Sequence, residues 1–100
     1  MSKRTKALEI TQKTKKIVWE RDGECCINCG EPQAMPNSHV IPRSKGGLGI
    51  EQNVVTHCAS CHRIMDQGVD EERTAMKNHA IEYVKRLYPN WSIELVTYRR

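Results

Sequence analysis

Two pairs of cysteines, each with the spacing Cys-x2-Cys, constrain this 100-residue chain more than any other feature. The first pair is Cys26 and Cys29, and the second is Cys58 and Cys61. A two-residue spacer lets two thiolates bind one tetrahedral ion, and two such pairs complete a closed four-sulfur zinc site. Because protein would fill every coordination position, we expect this zinc to be structural and its binding energy to contribute to folding.

Other interpretations of these cysteines are weaker. One Cys-x2-Cys pair alone is typical of a thioredoxin-like redox site, but the second pair argues against it. The run Cys58-Ala-Ser-Cys61-His62 also satisfies the haem c attachment pattern. Haem c would require export, no signal peptide is recognisable after Met1, and the first pair would stay unexplained. Cys25, beside the first pair, is interpreted as a spare thiol.

Length and charge narrow the class of protein. One hundred residues make one domain with a modest core, and the chain has no Phe. No stretch is apolar enough for a membrane, so we expect no membrane contact and a reducing cytoplasm, where cysteines bind metal rather than form disulfides. The net charge of +4 suits a polyanionic partner. Six of the first sixteen residues are Lys or Arg, which is also compatible with a solvated basic tail.

Local patterns predict the order of helices and strands. Thr11 is a plausible N-cap for a basic helix over about 12–21, which Asp22-Gly23 ends. Short strands are predicted at 38–41 and 53–56, and a helix at 60–66. A C-terminal helix over about 71–87 begins with acidic residues, and its apolar stripe is Met76, Ala80, Val84 and Leu87. The tail 91–100 is predicted as an extra strand or a docked extension.

Several short motifs occur in a fixed order over residues 18–66. They are Val18-Trp-Glu-Arg-Asp-Gly23, Cys26-x2-Cys29, His39-Val-Ile-Pro-Arg43, Gly46-Gly47, Asn53 and Cys58-x2-Cys61-His62. This order resembles the HNH nuclease family, particularly small phage and prophage members. The resemblance implies an α+β fold: a small zinc-stabilised ββα-metal domain with flanking N- and C-terminal helices. Residues 1–100 would form a single nuclease domain with its core at about 24–67.

The resemblance also implies roles for three residues. His39 occupies the position of the general base that activates water, which is chemistry suited to a side chain that titrates near neutrality. His62 occupies the position of a ligand to a catalytic divalent cation such as Mg²⁺, Mn²⁺, Ni²⁺ or Zn²⁺, which would stabilise the transition state. Asn53 matches the middle letter of HNH and would orient the loop that carries the base. His57 and His79 lie outside the pattern, and His57 is expected to be a surface or supporting group.

One residue departs from the family pattern. The residue before the base is commonly an acid or a histidine that helps to hold the metal, but here it is Ser38. Asp66 follows His62 by four residues, so both side chains can share one face of a helix. We therefore expect His62 and Asp66 to hold the catalytic ion together. The alternative is that Asp66 is a solvated acid at the end of the helix.

The expected substrate is double-stranded DNA, cleaved to leave 5′-phosphate ends if the chain behaves as the family does. Arg43 and Lys45 follow the base closely and are predicted to clamp the phosphate backbone. The neighbouring glycines Gly46, Gly47 and Gly49 are expected to permit close approach of a phosphate. Phage terminase subunits are a partner, and a bacterial host cell a location, that only the resemblance suggests. The alternatives are a zinc-knuckle DNA-binding module without catalysis and an RNA-directed nuclease.

Overall fold

An antiparallel β-hairpin lies at the centre of the fold in the computed structural model, which describes residues 2–99. Strand β1 spans Ala34–His39 and strand β2 spans Val54–Cys58. The register pairs Ser38 with Val55, and it is irregular between Met35 and Ser38. All of β2 is buried, so the hairpin forms the floor on which the helices pack.

The predicted strand boundaries are wrong by a few residues. The sequence predicted strands at 38–41 and 53–56. Instead β1 begins earlier and includes Pro36, which lies in the irregular part of the pairing, where a missing N–H breaks no regular ladder. Val40 and Ile41 follow β1 and stay buried without belonging to the strand. Strand β2 begins at Val54 and continues through Cys58.

Five helices flank the hairpin in the described residues: α1 at Lys3–Leu8, α2 at Gln12–Arg21, α3 at Ala59–Gln67, α4 at Asp70–Leu87 and α5 at Ile93–Val96. The predicted cap of α2 is confirmed, because the Thr11 side chain accepts a hydrogen bond from the Thr14 N–H. Helix α3 follows β2 without a loop, which completes the ββα unit. Two 3₁₀ turns, Arg43–Lys45 and Glu51–Asn53, lie in the connection between the strands. The predicted α+β fold with flanking helices is confirmed.

The core has two parts, and both include residues from the hairpin and from α4. The first surrounds the cysteines and includes Met76, whereas the second joins Val40 and Val55 to Ala80 and Val84. Three members of the predicted stripe on α4 are therefore buried. Leu87 is not, since it is 42% exposed at the last position of the helix.

A buried ion pair connects α2 to the rest of the domain. The Asp22 carboxylate accepts hydrogen bonds from Arg21 Nε at 2.8 Å, the Tyr83 hydroxyl at 2.6 Å and the Thr56 N–H at 2.8 Å. The Arg21 guanidinium also donates to the Val54 carbonyl at 2.7 Å. Burial, together with the Asp22 carboxylate, raises the pKa of Tyr83 to about 12. These bonds fix α2 against both β2 and α4.

The structure decides between the alternatives that the sequence left open at both ends of the chain. The first residues form α1 rather than only a solvated tail, and Leu8 is buried. The C-terminal tail forms the short helix α5 and docks rather than adding a strand: Leu48 N–H donates to the Val96 carbonyl at 2.8 Å, and Gly47 makes an isolated bridge to Thr97. Among the described helices, none combines the length and apolarity needed to cross a membrane.

Candidate active site and metal centre

The structure brings together the four cysteines of the two Cys-x2-Cys pairs. Their Sγ atoms all lie within 4.8 Å of one another, and Cys29 Sγ is 3.6 Å from Cys58 Sγ. Zinc–sulfur bonds of about 2.3 Å in a tetrahedron place the sulfurs about 3.8 Å apart, so the cluster has the size that zinc requires. It could hold a structural zinc. Cys25 does not belong to the cluster, and its thiol faces the Asp22 carbonyl at 3.7 Å.

Backbone turns and a helix end prepare the cysteines for a cation. Gly30 adopts a left-handed φ of 81° and donates its N–H to the Cys26 carbonyl at 2.9 Å, which closes the first turn. Cys58 caps α3, because its Sγ accepts from the Cys61 N–H at 3.4 Å. Burial alone would raise the pKa of Cys26, but nearby N–H groups lower it to about 7, whereas burial raises the pKa of Cys61 to about 12. A bound dication favours the thiolate at every position.

His39 lies at the last position of β1 and lines a groove of about 870 Å³. Its Nε2 is 2.9 Å from the carbonyl oxygen of Leu8, the last residue of α1. The pKa of His39 is lowered from 6.5, chiefly by burial, which outweighs the raising effect of the Leu8 carbonyl, and the charges of Arg43 and His62 lower it further. The imidazole is therefore neutral at pH 7, which is the form that accepts a proton.

Asn53 is fully buried and joins two stretches of the connection between the strands. Its Oδ1 accepts from the Ile41 N–H at 2.8 Å, and its Nδ2 donates to the carbonyls of Ile41 at 3.1 Å and Leu48 at 2.9 Å. These bonds hold the chain that leaves His39 through Val40 and Ile41. The polar atoms of the side chain are thus used for hydrogen bonds to backbone.

His62 and Asp66 lie one turn apart on α3, and both line the groove that His39 lines. His62 is half-buried, whereas Asp66 is exposed. Among residues 2–99, the four cysteines are the one group of three or more potential ligands with all ligand atoms close together. A catalytic ion in the groove would therefore have few ligands from the chain. Two are compatible with Mg²⁺, which usually keeps several waters and binds substrate phosphate.

Ser38, which replaces the family's acid, is buried at 2% exposure and forms a hydrogen bond of 2.9 Å with Nδ1 of His57. Of the two alternatives expected for His57, the surface group is wrong, since His57 is also 2% exposed and its Nε2 has no hydrogen-bond partner among the described residues. Burial, aided by the charges of His62 and His79, lowers the pKa of His57 to about 4. The Ser38 hydroxyl therefore belongs to a neutral buried pair.

The groove is strongly cationic. Its lining includes the predicted contacts Arg43 and Lys45, with Asp66 as its single acid among the described residues. Three further cations line it that the sequence did not single out as contacts: Lys15 on α2, and Arg73 and Lys77 on α4. The spacing of four between Arg73 and Lys77 is a signal for one helix face. It becomes a signal for this groove only once α4 is packed beside α3.

The glycines between the strands form contacts within the chain, which argues against the expectation that they let a phosphate approach. A Cβ on Gly47 would lie 1.7 Å from the Ile41 carbonyl oxygen, and one on Gly49 would lie 1.9 Å from that of Glu9. The N–H groups of Gly46, Gly47 and Gly49 all donate to carbonyls of the chain itself. Gly47 and Gly49 thus allow backbone to pack against backbone, whereas Gly46 adopts a left-handed φ of 82° at the end of a 3₁₀ turn.

Comparison with known proteins gives two matches. A family model described as HNH endonuclease matches residues 26–78, just over half of the chain. A stretch of 58 residues is 36% identical to Anaredoxin from Nostoc sp. (strain PCC 7120 / SAG 25.82 / UTEX 2576). The aligned stretch covers 57% of this chain and 76% of Anaredoxin. No solved structure matches the chain. The range 26–78 spans all four clustered cysteines and also His39, Asn53, His62 and Asp66.

Proposed function

The chain belongs to the HNH endonuclease family, and we propose that it is a metal-dependent endonuclease that hydrolyses phosphodiester bonds of DNA. One observation carries the proposal. His39 at the end of β1 and His62 on α3 line the same groove, which five cationic side chains also line. A neutral imidazole, a candidate metal ligand and a positive surface are together what hydrolysis of a polyanion requires.

In this mechanism His39 accepts the proton of the water that attacks phosphorus. Its low pKa keeps it unprotonated at neutral pH. Asn53 holds the chain beside it through three hydrogen bonds to Ile41 and Leu48. His62 and Asp66 would hold a divalent cation such as Mg²⁺, Mn²⁺, Ni²⁺ or Zn²⁺. When bound there, such a cation would supply stabilisation of the negative charge that develops on the phosphate and the leaving oxygen. The products carry 5′-phosphate ends.

The distribution of charge favours contact with the phosphate backbone on two sides of the groove. Arg43 and Lys45 extend from the 3₁₀ turn after His39, and Arg73 and Lys77 extend from α4. Cations on both sides suit double-stranded DNA better than a small phosphate ester, and they would fix its position without reading its sequence. Cytoplasmic DNA is the expected substrate, and phage terminase subunits remain a partner proposed from the resemblance alone.

The test is plasmid nicking by the zinc-loaded protein, with each of the four divalent cations added in turn and with none added. Cleavage should require the added ion. His39→Ala should lower the rate by about 10²- to 10⁴-fold, as loss of a general base does. His79→Ala is the matched control, because His79 is exposed on α4 and does not line the groove. Wild-type rates in His39→Ala protein would refute the assignment of the base.

A DNA-binding module without catalysis is the second candidate, and the burial of Ser38 favours it. Where the family carries an additional metal ligand, this chain has a hydroxyl bonded to His57. Salt-sensitive DNA binding with no cleavage under any of the four cations would establish this candidate. Cleavage of a matched RNA in preference to DNA would instead identify an RNA-directed nuclease.

A further inference from the structure

The N-terminal segment reaches the candidate base although it lies outside the family match at 26–78. The carbonyl oxygen of Leu8 is 2.9 Å from Nε2 of His39. A carbonyl oxygen only accepts hydrogen bonds, so Nε2 must be the donor. In a neutral imidazole one ring nitrogen carries the proton and the other carries the lone pair. This contact therefore selects the Nε2–H tautomer and leaves Nδ1 of His39 as the basic atom.

Nδ1 of His39 is free to take a proton. It forms no hydrogen bond within the described residues, and it is not one of their buried polar atoms without a partner. It follows that Nδ1 is accessible to solvent, on a side chain that lines the groove. The two ring nitrogens thus have separate tasks: one is fixed by the N-terminal segment, and the other faces water.

Buried contacts fix the position of the Leu8 carbonyl. The Leu8 side chain is 3% exposed, although the rest of α1 is largely exposed. Ala7, one residue earlier, accepts a hydrogen bond from the Gly49 N–H at 3.1 Å. A Cβ on Gly49 would lie 1.9 Å from the Glu9 carbonyl oxygen, so only glycine lets the segment approach this closely. Leu8 and Gly49 therefore act together as its anchor.

We propose that residues 7–9 are a positioning element of the active site, in which the Leu8 carbonyl holds His39 in the tautomer that presents Nδ1 to the substrate water. The proposal rests on the proposed nuclease function for its catalytic consequence. Its structural content, the tautomer of His39 and its dependence on the anchor, is measurable without cleavage. The wrong tautomer of a catalytic histidine can lower kcat by up to about 10⁴-fold. An element that selects the correct tautomer can therefore have a large effect on kcat.

The experiment uses the full zinc-loaded chain and ¹⁵N correlation spectroscopy of the histidine rings at a pH where His39 is neutral. The wild type should show His39 as the Nε2–H tautomer. Gly49→Ala should displace the segment, shift His39 largely to the Nδ1–H tautomer and so lower kcat by about 10- to 100-fold with little change in KM. Gly23→Ala is the control for a glycine replacement without a clash, because no neighbour lies within 4 Å of an added Cβ at Gly23, although its φ of 77° makes alanine strained there.

A second variant protects the test against misfolding. Leu8→Ala removes the buried anchor without creating a clash, and Leu8→Met should restore both the tautomer and kcat because it keeps the apolar volume. An Nδ1–H tautomer in the wild type, or an unchanged tautomer in both Gly49→Ala and Leu8→Ala, would overturn the proposal. If the wild type shows the predicted tautomer but cleaves nothing, the proposed function fails while the positioning contact stands.

Discussion

Replacing Asn53 by alanine tests the part of the site that depends most on hydrogen bonding. The substitution removes three bonds between 2.8 and 3.1 Å, all made by a side chain whose residue is 0% exposed. Each such bond contributes about 1 kcal/mol net, and the backbone groups of Ile41 and Leu48 would be left without these partners. We therefore expect Asn53→Ala to lower the free energy of unfolding by about 3 kcal/mol. For a 100-residue domain this corresponds to a fall in Tm of about 15 °C.

The assay is urea unfolding followed by tryptophan fluorescence, at a fixed excess of free zinc because bound metal itself stabilises the folded state. Asn53→Asp keeps the acceptor for the Ile41 N–H but points a charged oxygen at two carbonyls, so it should be at least as unstable as Asn53→Ala. Asn78→Ala, on the exposed face of α4, should change stability by less than about 0.5 kcal/mol. A loss below 1 kcal/mol for Asn53→Ala would refute the reasoning that these bonds hold the loop.

Three further predictions concern the metals and the base. Cys58→Ser should abolish zinc binding and unfold the chain, as measured by elemental analysis and circular dichroism, whereas the control Cys25→Ser should keep one zinc per chain. Zinc retained by Cys58→Ser would contradict the four-cysteine site. Because burial lowers the pKa of His39 below 6.5, kcat/KM should stay level as pH falls from 8 to 6.5 and decline only below pH 6.5. A decline centred above pH 6.5 would contradict the role of His39 as the base. Asp66→Asn should raise the concentration of Mg²⁺ or Mn²⁺ needed for half-maximal cleavage without loss of zinc, and an unchanged requirement would make Asp66 a surface acid.

The sequence by itself determined the features that depend on short spacings. Two residues between cysteines restrict the pair to a turn around one ion, so the four-sulfur cluster follows once both turns meet. The cap at Thr11, the acids at the start of α4 and the buried positions Met76, Ala80 and Val84 are likewise local signals of one helix each. The order of motifs around His39, Asn53 and His62 was sufficient to indicate the family, because each motif lies at a fixed point of the hairpin or of the helix after it.

Only the tertiary structure decided which distant residues meet in the groove. Nothing local to Leu8 indicates that its carbonyl bonds to His39, thirty-one residues later. The glycines were misjudged for the same reason: the atoms that demand glycine at position 49 belong to Glu9 and Ile10. Backbone contacts of this kind use groups that every residue carries, so the sequence does not indicate them except by a glycine at the point of close approach. Which chain segment fills the space of that missing Cβ depends on how α1 and the hairpin pack together, and that arrangement is a property of the whole fold.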